Sequence, residues 1–159
     1  MRYEPASKNP PPSKCQTGTL ALGRAIEVVF PEMISLRGGY GCYNHRRQTS
    51  GTGWSLHAEG RALDTGVPGR HHDLGWLLAC ELVAHRIIYG VQRVIWDQHI
   101  WTVEELDRWR RLKPTSQQHT DHIHTEQYWA GALRPATVQT QYEIALRAAR
   151  SPDAPSGGD

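Results

Sequence analysis

Apolar residues recur at helical spacing in three stretches of the chain and alternate with polar ones in three others. Leu22, Ala25, Ile26, Val29 and Phe30 mark one face of a helix that Pro31 stops. A second helix is expected from Asp73 to Tyr89, with Leu74, Leu77, Leu78 and Leu82 on one face, Asp73 as cap and Gly90 at its end. A last helix runs from Thr137 to Arg150 and turns Val138, Tyr142, Ala145, Leu146 and Ala149 inward. Val91–Trp96 and His99–Thr102 are β-rich and lie on either side of Asp97-Gln98, a tight hairpin without the Asn-Gly signature. Thr102 and Glu105 form a capping pattern that predicts a short helix through Trp109, ahead of a polar loop from Lys113 to Gln118. His119 to Glu126 reads as a strand.

Helices interleaved with a hairpin and a separate strand predict an α+β fold: a small antiparallel sheet packed against several helices. Residues 17–150 form its one domain. Residues 1–16, closed by Pro10-Pro11-Pro12, read as a flexible start, and residues 151–159 as a linker-like tail. Between Ser35 and Gly53 the chain is rich in Gly, Arg, Tyr, Asn and Ser without a period, as expected of an irregular segment beside a site.

Composition narrows the function classes. Eighteen basic against sixteen acidic residues leave a formal charge of +2, with no basic stripe for nucleic acid. No apolar run approaches the roughly 20 residues that span a bilayer, and the polar, Pro-rich start lacks a signal-peptide core. Membrane insertion is therefore not expected. The chain is expected to be made in the cytoplasm without its own export signal. Three cysteines without C-x-x-C spacing disfavour a cysteine-held metal; Cys80 lies in an apolar stretch and reads as core, and a Cys15–Cys42 bridge is one option. Histidine is the unusual residue, present nine times, with His119, His122 and His124 inside six positions.

Two segments carry the chemistry. In Ser55-Leu56-His57-Ala58-Glu59-Gly60-Arg61-Ala62-Leu63-Asp64 an imidazole and a carboxylate flank a glycine turn. If His57 ends an extended piece and Asp64 lies on the strand after the turn, both can face one cation at about 2.0–2.2 Å. In His119-Thr120-Asp121-His122-Ile123-His124, strand alternation puts His122 and His124 on one face. Three protein ligands leave a tetrahedral zinc ion one open position, the pattern of a catalytic site.

S-x-H-x-x-G-x-A-x-D followed by D-H-x-H resembles the D-Ala-D-Ala metallopeptidase (VanX/VanY-like) branch of the superfamily that also holds lysostaphin and hedgehog, including phage endolysin peptidase domains. The run through Trp96, Trp101 and Trp109 to His119 looks like its phage and actinobacterial members. The resemblance implies one Zn²⁺ ion held by His57, Asp64 and His124. It implies Asp121 as general base, His122 in transition-state stabilisation and His119 beside the base. Arg61 then matches a substrate-contacting arginine. A regular strand would point Asp121 away from His124, so the strand must begin or bulge near Asp121. Arg37, as a carboxylate binder, and Trp54, at the groove's border, are further substrate-binding candidates, and Arg47 is another source of oxyanion stabilisation.

The function so implied is hydrolysis of peptide bonds in bacterial peptidoglycan, as endopeptidase or D,D-carboxypeptidase, in a monomeric phage endolysin domain that reaches the wall after release and is open to fusion with further modules. The partners are stem peptides. A non-catalytic zinc-stabilised module that binds cell wall or protein is the alternative, and a metal-dependent nuclease ranks behind it.

Overall fold

In the computed structural model the described residues are 1–48, 53–106, 108–114 and 117–151. The tail beyond Ser151 and part of the 113–118 loop lie outside them. The α+β class is as expected: the described residues form a five-stranded, wholly antiparallel sheet packed against helices. Its strands are β1 (Ala62–Gly66), β2 (Val91–Trp96), β3 (His99–Thr102), β4 (Arg110–Arg111) and β5 (His122–Gln127), in the order β1-β5-β2-β3-β4. The helices are α1 (Thr17–Val29), α2 (His72–Ala84), α3 (Arg86–Tyr89), α4 (Trp129–Ala132) and α5 (Gln139–Arg150). None is long and apolar enough to cross a membrane.

Strand alternation divides the sheet into two chemically different faces. Leu63, Val94, Trp96, Trp101 and Ile123 join the core with Leu22 and Ile26 of α1, Leu78 and Leu82 of α2, and Tyr142 and Leu146 of α5. The other face presents Asp64, Arg93, Ile95, Ile100, His122, His124 and Glu126 to one cleft. One face stabilises the fold, and the other holds the polar groups.

The Asp97-Gln98 hairpin forms as expected, with both residues at positive φ (42° and 64°), the primed turn that matches strand twist. Backbone bonds from Asp97 and Gln98 to the carbonyls of His119 and Gln118 brace this uncommon conformation. Four expectations change. The second helix breaks at His85, so Asp73 lies in the first turn of α2 rather than at its cap, and left-handed Gly90 closes α3. Among the described residues no helix follows Thr102, because Thr102 is the strand partner of Arg93 and its carbonyl closes only one turn, onto the Glu105 amide. Cys80 is on the exposed side of α2 rather than in the core. Residues 1–16, expected to be flexible, are docked: Gln92 bonds both the amide and the carbonyl of Glu4, and Arg61 reaches the carbonyls of Glu4 and Pro5.

Cys15 and Cys42 form a disulfide with Cα atoms 5.2 Å apart. It ties the end of the N-terminal segment to the irregular loop beside the site. Closing a loop across a separation of 27 residues stabilises the fold by about 3–4 kcal/mol on the chain-entropy account. Urea unfolding with and without reductant should show a loss of that size; coincident curves would contradict it.

Candidate metal centre

The local backbone explains how three distant residues meet. His57 lies in a 3-10 turn, Leu56–Glu59, rather than at the end of an extended piece. The Ser55 hydroxyl accepts from the His57 amide and starts this turn, and Gly60 ends it at φ 69°. A Cβ on Gly60 would stand 1.9 Å from the Lys14 carbonyl oxygen, so both the conformation and the close approach demand glycine. The chain then enters β1, where Asp64 sits directly opposite His124 of β5. The irregular loop secures both sides: Asn44 donates to the His57 carbonyl and Asp64 to the Gly41 carbonyl.

His57, Asp64 and His124 converge as the sequence predicts, with their ligand atoms within 4.8 Å of one another. His57 Nε2 is 3.3 Å from His124 Nδ1 and 3.2 Å from Asp64 Oδ2, and His124 Nδ1 is 2.8 Å from Asp64 Oδ1. Donors around a tetrahedral ion with bonds of about 2.0–2.2 Å stand roughly 3.3–3.6 Å apart. Small outward shifts would therefore seat an ion. Two imidazole nitrogens and one carboxylate suit zinc and similar transition metals better than magnesium or calcium. The three residues fit the metal that the resemblance implies.

The charges are strongly coupled. Burial opposes ionisation of Asp64, yet hydrogen bonds from His124 and His57 hold its carboxyl well below the usual carboxylate range. Burial likewise disfavours a charged His124, but its bonds to Asp64 and Glu126 outweigh this and push it up to about 9. Glu126, despite its burial, is held down at about 2 by His124 and Arg93. His119 is lowered to about 4 by burial, reinforced by the charges of His124 and His122.

The cleft beside the three ligands measures about 270 Å³ and is lined by Arg46, Arg93, Ile95, His119 and His122 among others. His122 Nε2 faces it, 3.8 Å from Asp64 Oδ1, while the other ring nitrogen donates to Asp121 Oδ1 at 2.7 Å. Strand β5 begins at His122, meeting the condition set above, but Asp121 does not turn into the cleft. Its side chain is 72% exposed and is not among the residues that line the cleft. Asp121 thus meets the cleft through His122 rather than lining it, which differs from the inward turn expected of its side chain. The ring of His119 is 4.8 Å from that of His122 and 5.6 Å from that of His124, so this residue does join the group.

The expected substrate contacts fare less well. Arg61 is fully buried and bonds Glu59 Oε2 and three backbone carbonyls, so its guanidinium is spent on the fold. Arg37 is outside the cleft, with Glu27 at 3.7 Å. Trp54 stacks on His45 and lies under Arg47; neither Trp54 nor Arg47 lines the cleft, although Ser55 does. Arg46 and Arg93 are the cleft's arginines instead. Sequence reading also missed Glu126, which accepts from His124 Nε2 at 3.1 Å. Its signal was present, because positions 122, 124 and 126 share one strand face. Arg93 and Tyr3, which reach Glu126 from far along the chain, carried no such signal.

No curated protein and no solved structure matches the chain. Residues 11–124 match the family model described as VldE, C-terminal domain, a stretch that includes all three candidate ligand residues and most of the sheet. The match covers more than two thirds of the sequence, and the chain belongs to the VldE C-terminal domain family.

Proposed function

We propose that the protein is a zinc-dependent peptidase that hydrolyses peptide bonds of bacterial peptidoglycan, in the manner of phage endolysin peptidase domains. The observation that carries this reading is the convergence of His57, Asp64 and His124 beside an open cleft into which His122 points. The substrate class rests on the motif resemblance.

When bound by these residues, zinc supplies Lewis acidity and lowers the pKa of a water toward about 7. Asp121 holds the Nδ1–H of His122 and leaves Nε2 facing the cleft. His122 is thus placed to carry a proton, with Asp121 orienting it and stabilising its cation, the division of labour of a histidine–carboxylate pair. His119, held low, stays neutral beside it at physiological pH. Arg93 and Arg46 add positive charge to the cleft wall, suited to a peptide carbonyl or carboxylate.

The test is mass spectrometry of purified peptidoglycan fragments incubated with zinc-loaded protein. The wild type should release peptides, and the bond cut would separate endopeptidase from carboxypeptidase. His122→Ala should lose about 10²–10⁴-fold in kcat, with a smaller loss for Asp121→Asn. Absence of cleavage by the wild type would overturn the enzyme reading in favour of a binding module. A larger loss in Asp121→Asn than in His122→Ala would return the base role to Asp121.

A further inference from the structure

We infer that Tyr3 is a positioning residue of the metal centre, so that the N-terminal segment helps to hold the site's geometry. This rests on the reading of His57, Asp64 and His124 as metal ligands. The Tyr3 hydroxyl donates to Glu126 Oε2 at 2.6 Å, and Glu126 Oε1 stands 3.1 Å from His124 Nε2. The other nitrogen of that ring, Nδ1, faces Asp64 and His57. A carboxylate that accepts from one ring nitrogen fixes the tautomer and orientation in which the other is offered to a metal. Glu126 is therefore the group that aims His124, and Tyr3 is one of two groups that aim Glu126.

The second is Arg93, the direct cross-strand partner of Glu126, with Nη1 3.3 Å from Oε2. Its guanidinium also lies over the Tyr3 ring, 4.2 Å from the centroid. Tyr3 thus touches both members of the pair. Its place is fixed by the backbone around it: Gln92, the extra residue where β2 bulges against β5, bonds both polar groups of Glu4, and Glu59 accepts from the Ser7 amide. Packing beneath Arg93 needs only an aromatic ring. The hydroxyl adds a bond to a buried carboxylate, and without it Oε2 keeps, among the described residues, Arg93 alone.

The experiment measures Zn²⁺ affinity by chelator competition in the whole chain, for the wild type, Tyr3→Phe, Glu126→Gln and the double variant. Glu126→Gln should weaken binding about 10–100-fold, and Tyr3→Phe, one bond further from the ion, about tenfold or less but measurably. Because Tyr3 acts through Glu126, the double variant should bind within about twofold of Glu126→Gln alone. Unchanged affinity in Tyr3→Phe would overturn the inference, as would a full additional loss in the double variant, which would assign Tyr3 to packing. Should Glu126→Gln fail to fold, the cobalt-substituted Tyr3→Phe protein decides: a shifted d–d band relative to wild type supports the role and an unchanged one overturns it. A wild type that binds no metal sinks both this inference and the proposed function. A wild type that binds metal, with Tyr3→Phe indifferent, sinks the inference alone.

Discussion

Adding zinc to the metal-stripped protein is expected to raise its melting temperature by about 8–16 °C once free zinc exceeds the dissociation constant by about a thousandfold. That excess corresponds to roughly 4 kcal/mol of stabilisation, and a chain of this length shifts by about 2–4 °C per kcal/mol. Magnesium at the same excess over that constant should do little, because two of the three donors are imidazole nitrogens. His124→Ala should abolish the zinc response. That variant removes the donor central to the group, whose ring bridges Asp64 on one side and Glu126 on the other. Differential scanning calorimetry with and without chelator is the measurement, and an equal zinc shift in wild type and His124→Ala would place the ion elsewhere.

The second large effect concerns Arg61. Replacing it with Met is expected to destabilise the fold by about 3–5 kcal/mol, since Glu59 would be left buried beside a vanished partner. Glu59 is held below its ordinary value, for although burial opposes ionisation, the Ser7 amide and Arg61 outweigh it. Replacing both, Glu59→Leu with Arg61→Met, should recover part of the loss, because a buried pair exchanged for apolar residues is far less costly than one broken. Urea denaturation of the two variants checks this. A residue that only contacted substrate would change KM and leave the unfolding midpoint in place.

Arg61 also shows where the sequence was legible and where it was not. Its position inside the first motif pointed to the site, but motif spacing fixes only distance along the chain. The turn at Gly60 sends neighbouring side chains to different surroundings: His57 toward the ligand group, Arg61 toward Glu59 and the N-terminal segment. The convergence of the candidate trio was readable because its members lie in two short motifs, one with a histidine and an aspartate on either side of a glycine turn and one with a two-residue alternation, although the capped 3-10 turn at His57 was expected to be an extended piece. The hairpin was readable for the same reason. Asp121 was not, since its direction depends on the residue at which β5 starts, and that is decided by pairing with β1 and β2. Arg93 and Tyr3 were beyond reach because they meet Glu126 through strand register and through a docked segment 123 residues away. The docking of residues 1–16 was hidden too: their composition is that of a linker, and what orders them is Gln92, Arg61 and Glu59 on other elements.

The two borders of the sheet have a consequence for how the protein behaves at high concentration. At one border β4 is two residues long and consists of Arg110 and Arg111; at the other, the amide and carbonyl of Gly66 in β1 pair with Ile34, and the Asp64 amide is taken by Gly41. A two-residue edge strand gives a visitor little to pair with, and a strand with two of its outward amides already used offers few more. The fold therefore resists the strand-by-strand stacking through which sheets aggregate, and keeps its polar face available for a ligand.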